Sequence, residues 1–292
     1  MTQSKIPYSQ YQATGNTFAI INALEEMPIK ESELNEFAKK TCDKDTGVGV
    51  DGLILILPSE KADYKMRIFN ADGSEAEMCG NGIRAFAKYI LDKDIDKKIR
   101  IDYDRKLSVE TLAGIKTIEN LDDFMFKVDM GEPILESGKI PAHLKGITKT
   151  EKIIDQEYEK NDKKYNITCV SIGNPHCVIF VDEVDNYPVE EEGAPISNDT
   201  ETFPNRVNVE FIQIITDKEI SMRVWERGVG ETQACGTGAS AAAVACILNK
   251  KTGRSVKVHL SGGNLHIDWL EENNHIIMTG PAEEEFEGEL EL

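Results

Sequence analysis

Paired-cysteine patterns are missing from this chain. Its six cysteines, at 42, 79, 169, 177, 235 and 246, form no Cys-x-x-Cys pair and no regular close spacing, which excludes a zinc ribbon or a disulfide-stapled scaffold and fits a reducing compartment. Long apolar runs are missing too. The opening MTQSKIPYSQYQATGNTFAII has no apolar stretch of signal-peptide length, and no later run approaches a membrane span, so the expectation is a soluble cytoplasmic protein with no membrane partner. Positive charge is scarce: 33 basic residues against 52 acidic ones leave a net charge of −19, and no nucleic-acid partner is expected without a basic face. The acids thicken in the tail Glu283-Glu-Glu-Phe-Glu-Gly-Glu-Leu-Glu, which reads as a solvated face. No Pro- or Ser-rich linker announces a domain boundary, although 292 residues are long for one core and suit two.

What the chain does have is an internal copy. Met66-Arg67-Ile68-Phe69 recurs as Met222-Arg223-Val224-Trp225, and at the same offset Glu75 falls on Glu231. Cys79-Gly80-Asn81-Gly82 falls on Cys235-Gly236-Thr237-Gly238, with Ala85 and Ala87 on Ala241 and Ala243. Two thiols therefore occupy equivalent places. In each copy a short β-prone run leads through turn residues to a helix: Ile83, Phe86, Ala87, Ile90 and Leu91 recur at helical spacing, and an alanine-rich stretch runs to Leu248. Asn81 and Thr237 are the residue types expected to N-cap these helices. Each cysteine then lies at the mouth of a helix N-terminus, where free N–H groups and the dipole favour a thiolate or a bound carboxylate.

A lone Cys-Gly is ordinarily a small buried hydrophobe. Recurrence in one glycine-flanked setting points instead to a shared chemical role. Racemisation and epimerisation need a proton-transfer group on each face of one carbon, a thiolate to remove the proton and a thiol to return one.

The segments Phe69-Asn-Ala-Asp-Gly-Ser-Glu-Ala-Glu-Met-Cys-Gly-Asn-Gly and Glu226-Arg-Gly-Val-Gly-Glu-Thr-Gln-Ala-Cys-Gly-Thr-Gly closely resemble the two signature motifs of the diaminopimelate epimerases. So do Gly173-Asn-Pro-His-Cys-Val, Arg206-Val-Asn-Val-Glu-Phe and Met278-Thr-Gly-Pro-Ala, and the resemblance spans nearly the whole chain. It implies an α+β fold of two pseudo-symmetric domains, each a rolled sheet or barrel around its central motif helix. Residues 1–121, completed by a final strand at about 283–292, would carry Cys79, and residues 122–282 would carry Cys235. It further implies interconversion of LL- and meso-diaminopimelate, in lysine and cell-wall precursor biosynthesis, with no pyridoxal phosphate or other cofactor and no metal. The small molecule is the expected partner, and a homodimer is the candidate assembly.

Site residues follow from the same resemblance, with Cys79 and Cys235 as the acid–base pair. Gly80, Asn81, Gly236 and Thr237 would offer amides or side chains to one substrate carboxylate. Asn16, Asn70, Asn174, Asn208, Glu226 and Arg227 match substrate-contacting positions, Arg227 having the planar fork that suits a carboxylate. His176 and Glu226 would set thiol ionisation. Two positions depart from the family: Thr17 replaces an aspartate, and Gly52 stands where some members have a polar side chain.

Along the rest of the chain, Tyr8 to Asn22 reads as a strand interrupted at Gly15-Asn16-Thr17, a pattern that returns at Gly173-Asn174. A surface helix is expected over Lys30 to Lys40, then a strand Leu53 to Leu57 buried on both faces. Strands are expected at Lys98 to Leu112, Phe124 to Met130, Thr168 to Asp182 and from Arg206, loops and edge strands over Pro133 to Lys164, and an interdomain crossing at Asp122-Asp123. The tail from Val256 is strand-like, with turns at Gly262-Gly263 and Asn273-Asn274 and a break at Met278-Thr-Gly-Pro. Racemases of proline or hydroxyproline share the two-thiol logic without needing so many polar anchors, and a thiol-disulfide protein or a binding module that has lost catalysis is the alternative from another class.

Overall fold

The computed structural model describes residues 5–93, 95, 106–121 and 124–291. The expected crossing at Asp122-Asp123 and the first part of the strand expected from Lys98 lie outside these residues. The fold is α+β and sheet-dominated, and no helix among the described residues is long and apolar enough to cross a membrane. The chain divides into two compact units, residues 1–129 with 279–292, and residues 130–278.

The first unit opens with a hairpin of Lys5–Ala13 and Asn16–Asn22, turned by Thr14 and Gly15 in left-handed backbone at φ 51° and 81°. Asn16–Asn22 runs parallel to Gly52–Leu57, which is antiparallel to Tyr64–Asn70. That strand meets Glu75–Ala76 and, in parallel, Lys106–Thr111, which forms a hairpin with Gly114–Asn120. The last strand, Glu283–Glu291, pairs with the first. The helix Leu34–Cys42 follows a 3-10 turn at Glu31–Glu33 and buries Leu34, Phe37 and Ala38 against Leu53, Leu55 and Phe69. Gly52–Leu57 is therefore covered on both faces, as its unbroken apolar run requires: the other side faces the helix Gly80–Asp92. Strands wrap that helix so fully that every residue from Gly80 to Leu91 is buried, and each large apolar side chain such as Phe86 contributes about 1.5–3 kcal/mol relative to exposure.

The second unit repeats this plan. A hairpin of Lys163–Ser171 and Pro175–Phe180 precedes the strand Asn208–Ile214, parallel to its second arm, and then the antiparallel strand Glu219–Glu226. The latter meets Gly230–Thr232 and, in parallel, Ser255–Leu260, itself in a hairpin with Gly263–Trp269. The central helix is Gly236–Leu248, buried through Cys246. Even an ion pair is duplicated: Arg67 Nε lies 2.7 Å from Glu75, and Arg223 Nε 2.7 Å from Glu231.

Three local expectations need correction, and one helix was not anticipated. The N-caps are Cys79 and Cys235 rather than Asn81 and Thr237, because the extended backbone lies at the cysteines, φ −135° and −133°, and the helices begin at the following glycines. The β-run expected from Arg206 starts at Asn208, since Arg206 adopts φ 57° and cannot extend a strand. The break expected at Met278-Thr-Gly-Pro comes directly after that motif, at Ala282: Ile276–Pro281 is one strand, with the proline at its end, and the next begins at Glu283. A helix at Val189–Ser197, containing Pro195, had no counterpart in the sequence reading and packs Val189 and Ile196 into the core with Phe203 and Phe211.

Candidate active site

In each unit the cysteine lies at the junction between a short strand and a buried helix. In the first unit, Cys79 is half-buried, and its Sγ accepts the Gly82 N–H at 3.3 Å. In the second, Cys235 is 6% exposed, and its Sγ accepts the Gly238 N–H at 3.3 Å. The sulfur thus takes the capping place that satisfies one of the unpaired amides of the first helical turn. Those amides and the helix dipole favour negative charge at both positions. Close packing explains the last residue of each Cys-Gly-x-Gly: a Cβ on Gly82 would come within 2.8 Å of Ile68 Cδ1, and one on Gly238 within 2.9 Å of Glu210 Oε1.

Around Cys79, Asn81 and Asn16 form a hydrogen-bonded string with Asp51. Asn81 is 1% exposed, and its Nδ2 donates to Asn16 Oδ1 at 2.6 Å. Asn16 Nδ2 lies 3.4 Å from Asp51 Oδ2, and that oxygen accepts the Thr17 N–H at 2.9 Å. Asp51 therefore organises the hairpin end where Thr17 departs from the family pattern. Asn70 is exposed, and its Nδ2 donates to Ser74 Oγ at 3.0 Å within the turn that follows. Gly52 sits in a tight place. A Cβ there would lie 3.0 Å from the Phe69 carbonyl and 3.3 Å from the Phe18 ring, whereas at the matching register of the second unit Asn208 pairs with His176.

The surroundings of Cys235 are acidic. Thr237 Oγ1 lies 3.4 Å from its sulfur. Glu226 accepts the Thr232 hydroxyl at 2.5 Å, and burial holds its carboxyl above the usual range despite the hydrogen bonds from Thr232 and Cys235. Burial, then the carboxylates Glu226 and Glu210, push the Cys235 thiol well up, while Thr237 and the Gly238 amide oppose them. His176 is fully buried between Glu210 Oε1, 2.7 Å from Nδ1, and Asn174 Oδ1, 2.9 Å from Nε2. Asn208 accepts the Arg227 N–H at 2.9 Å and donates to the Pro175 carbonyl at 3.3 Å. The Arg227 guanidinium donates to the Asn205 carbonyl at 3.0 Å.

Each unit thus gathers its own share of the sequence-derived residues: Asn16, Asn81 and Cys79 in one, Asn174, His176, Asn208, Glu226 and Cys235 in the other. Sequence reasoning missed Arg84, Glu210 and Asp51. A charged residue inside an otherwise buried segment was the available signal for the first two, and Asp51, in an exposed loop, offered none. Chemically, a sulfur held at a helix mouth can exchange a proton as thiol or thiolate, with amide donors beside it.

The family model described as diaminopimelate epimerase matches residues 8–136 and 168–284. A diaminopimelate epimerase from Methanococcus maripaludis strain C6 is 46% identical over 289 residues, covering 98% of this chain and 99% of that protein. One from Acetivibrio thermocellus is 47% identical over 290 residues, with 98% of each covered. Among solved structures, a hydroxyproline epimerase from Agrobacterium vitis with bound trans-4-hydroxy-L-proline covers 99% of this chain and 92% of its own at a TM-score of 0.72 and 12% identity, a likeness of fold alone.

Proposed function

The chain belongs to the diaminopimelate epimerase family, and from that premise we propose that it interconverts LL- and meso-diaminopimelate by a two-thiol reaction without pyridoxal phosphate. One cysteine, as thiolate, takes the α-proton, and the C–H electron pair moves toward the carboxylate. The other, as thiol, returns a proton to the opposite face, so the two sulfurs end with exchanged protonation states and the reaction balances without a co-reactant. The observation that supports this reading is the equivalence of Cys79 and Cys235, each capping a buried helix with its sulfur 3.3 Å from the Gly82 or Gly238 amide.

A carbanion next to a carboxylate is the costly species. First-turn amides at Gly80, Asn81, Gly236 and Thr237 are the donors available to it, and preorganised donors of this kind can supply about 3–4 kcal/mol each. Asn70, Asn174, Asn208, Glu226 and Arg227, with Asn16, would hold the distal amino-acid head, and a substrate lacking that head would leave them unpaired. His176 and Glu226 would adjust the ionisation of Cys235. The deciding experiment offers LL-diaminopimelate, L-proline, L-hydroxyproline and L-lysine to the protein, followed by chiral separation. Inversion of diaminopimelate alone is expected; turnover of proline but not diaminopimelate would overturn the assignment.

A further inference from the structure

Arg84 lies one helical turn beyond Cys79 and is completely buried. Its Nη1 donates to the Gly80 carbonyl at 3.2 Å, its Nε to the Pro281 carbonyl at 3.2 Å, and its Nη2 to Thr14 Oγ1 at 2.7 Å and Asn81 Oδ1 at 2.9 Å. Burial draws its pKa down to about 10, with the Cys79 sulfur pulling the other way, so it remains a cation at neutral pH. The matching residue of the second unit is Ser240, whose hydroxyl donates to the Gly236 carbonyl at 3.0 Å. Serine thus reproduces the contact to the first helical carbonyl. What arginine adds is the reach to Thr14, Pro281 and Asn81.

A guanidinium only donates, whereas an asparagine side chain has one donor end and one acceptor end. With Arg84 against it, Asn81 must turn its oxygen toward the cation. Its amide nitrogen then faces Asn16 Oδ1, 2.6 Å away, so the Asn16 oxygen is occupied; one hydrogen of its NH2 group faces Asp51 Oδ2 at 3.4 Å, and the other is left to donate. The donor-only cation at one end and the acceptor-only Asp51 carboxylate at the other set one direction for two amides in series.

We propose that Arg84 is a positioning residue that fixes the polarity of Asn81 and Asn16, so that Asn16 presents a donor to an anionic group of the substrate. This rests on the proposed function, in which Asn16 and Asn81 meet diaminopimelate. Glutamine and lysine separate polarity from mere space filling: Arg84→Gln offers both a donor and an acceptor, while Arg84→Lys remains donor-only.

The test compares diaminopimelate kinetics in the full-length variants. Arg84→Gln should raise KM roughly tenfold, about the loss of one hydrogen bond, with kcat changed much less, and Arg84→Lys should restore most of the loss. An equal rise in both variants would make Arg84 merely structural, and no rise in folded Arg84→Gln would make polarity irrelevant; either overturns the proposal. Exchange of the Asn81 side-chain amide protons, followed by NMR with 15N-asparagine, provides a readout independent of turnover. It should be slow in the wild type and in Arg84→Lys, and faster in Arg84→Gln. Fast exchange in the wild type would overturn the proposal even if Arg84→Gln failed to fold. A wild-type protein that leaves diaminopimelate untouched would refute the proposed function, and the exchange comparison would still decide the role of Arg84.

Discussion

Cys79 serves as a helix cap and, in the proposed reaction, as a proton carrier, and serine and alanine separate the two roles. Serine keeps an acceptor on the same Cβ for the Gly82 N–H, which now reaches Sγ at 3.3 Å, but its hydroxyl is far too weak an acid to act as the base. Alanine removes both functions. Loss of a cap costs about 0.5–2 kcal/mol, and because a thiol sulfur is a weak acceptor the cost here should lie near 0.5–1 kcal/mol. In a unit of this size that is roughly 1–4 °C in Tm. Cys79→Ala should therefore melt a few degrees below the wild type, Cys79→Ser should melt close to it, and both should lose turnover by at least 10²–10⁴-fold, as expected for a missing acid–base group. Calorimetry and chiral separation on the same preparations read both effects. Near-normal turnover in Cys79→Ser would refute the chemical role. Equal stability of the alanine and serine variants would refute the capping role.

Glu226 is held above its ordinary value chiefly by burial, so the folded state favours its protonated form. The stability this gives is fully present below the ordinary glutamate pKa of about 4.3 and is lost as pH rises through the folded value. Glu226→Gln should flatten denaturation midpoints over that window, and an unchanged profile would contradict the shift. The same substitution removes the larger of the two carboxylate influences on Cys235, so alkylation of that thiol, resolved by peptide mass, should begin at lower pH. Arg227→Lys should weaken diaminopimelate binding by roughly tenfold, since an ammonium cannot reproduce the fork; unaltered affinity by calorimetric titration would remove Arg227 from the site.

The duplicated elements were legible because they depend on local pattern. Ile83, Phe86, Ile90 and Leu91 at helical spacing mark a helix that the structure buries, and Leu53 to Leu57 mark a strand covered on both sides. Asn81 and Thr237 look like the caps in sequence because capping preferences rank oxygen-bearing side chains first. Asn81 is instead committed to Asn16 and Arg84, contacts made across 65 residues of chain in one case. The Val189–Ser197 helix was hidden by Gly193 and Pro195, poor helix formers that tertiary packing overrides. Arg84 and Glu210 escaped for a related reason. Their apolar flanks hint at burial, but Pro281 and His176, their partners, are distant in sequence, so what each charge holds becomes visible only when the strands close around it.

The central claim, that two thiols divide one proton transfer, is tested most directly by the fate of the α-proton in heavy water. A thiolate on one face removes hydrogen while a deuterated thiol on the other delivers deuterium. Substrate that returns without inverting recovers its own proton, provided the first thiol does not exchange with solvent meanwhile. At initial rates, starting from either isomer, product should therefore carry deuterium at the inverted carbon while recovered substrate remains unlabelled. Deuterium entering recovered substrate as fast as product, from both directions, would contradict Cys79 and Cys235 as a divided acid–base pair.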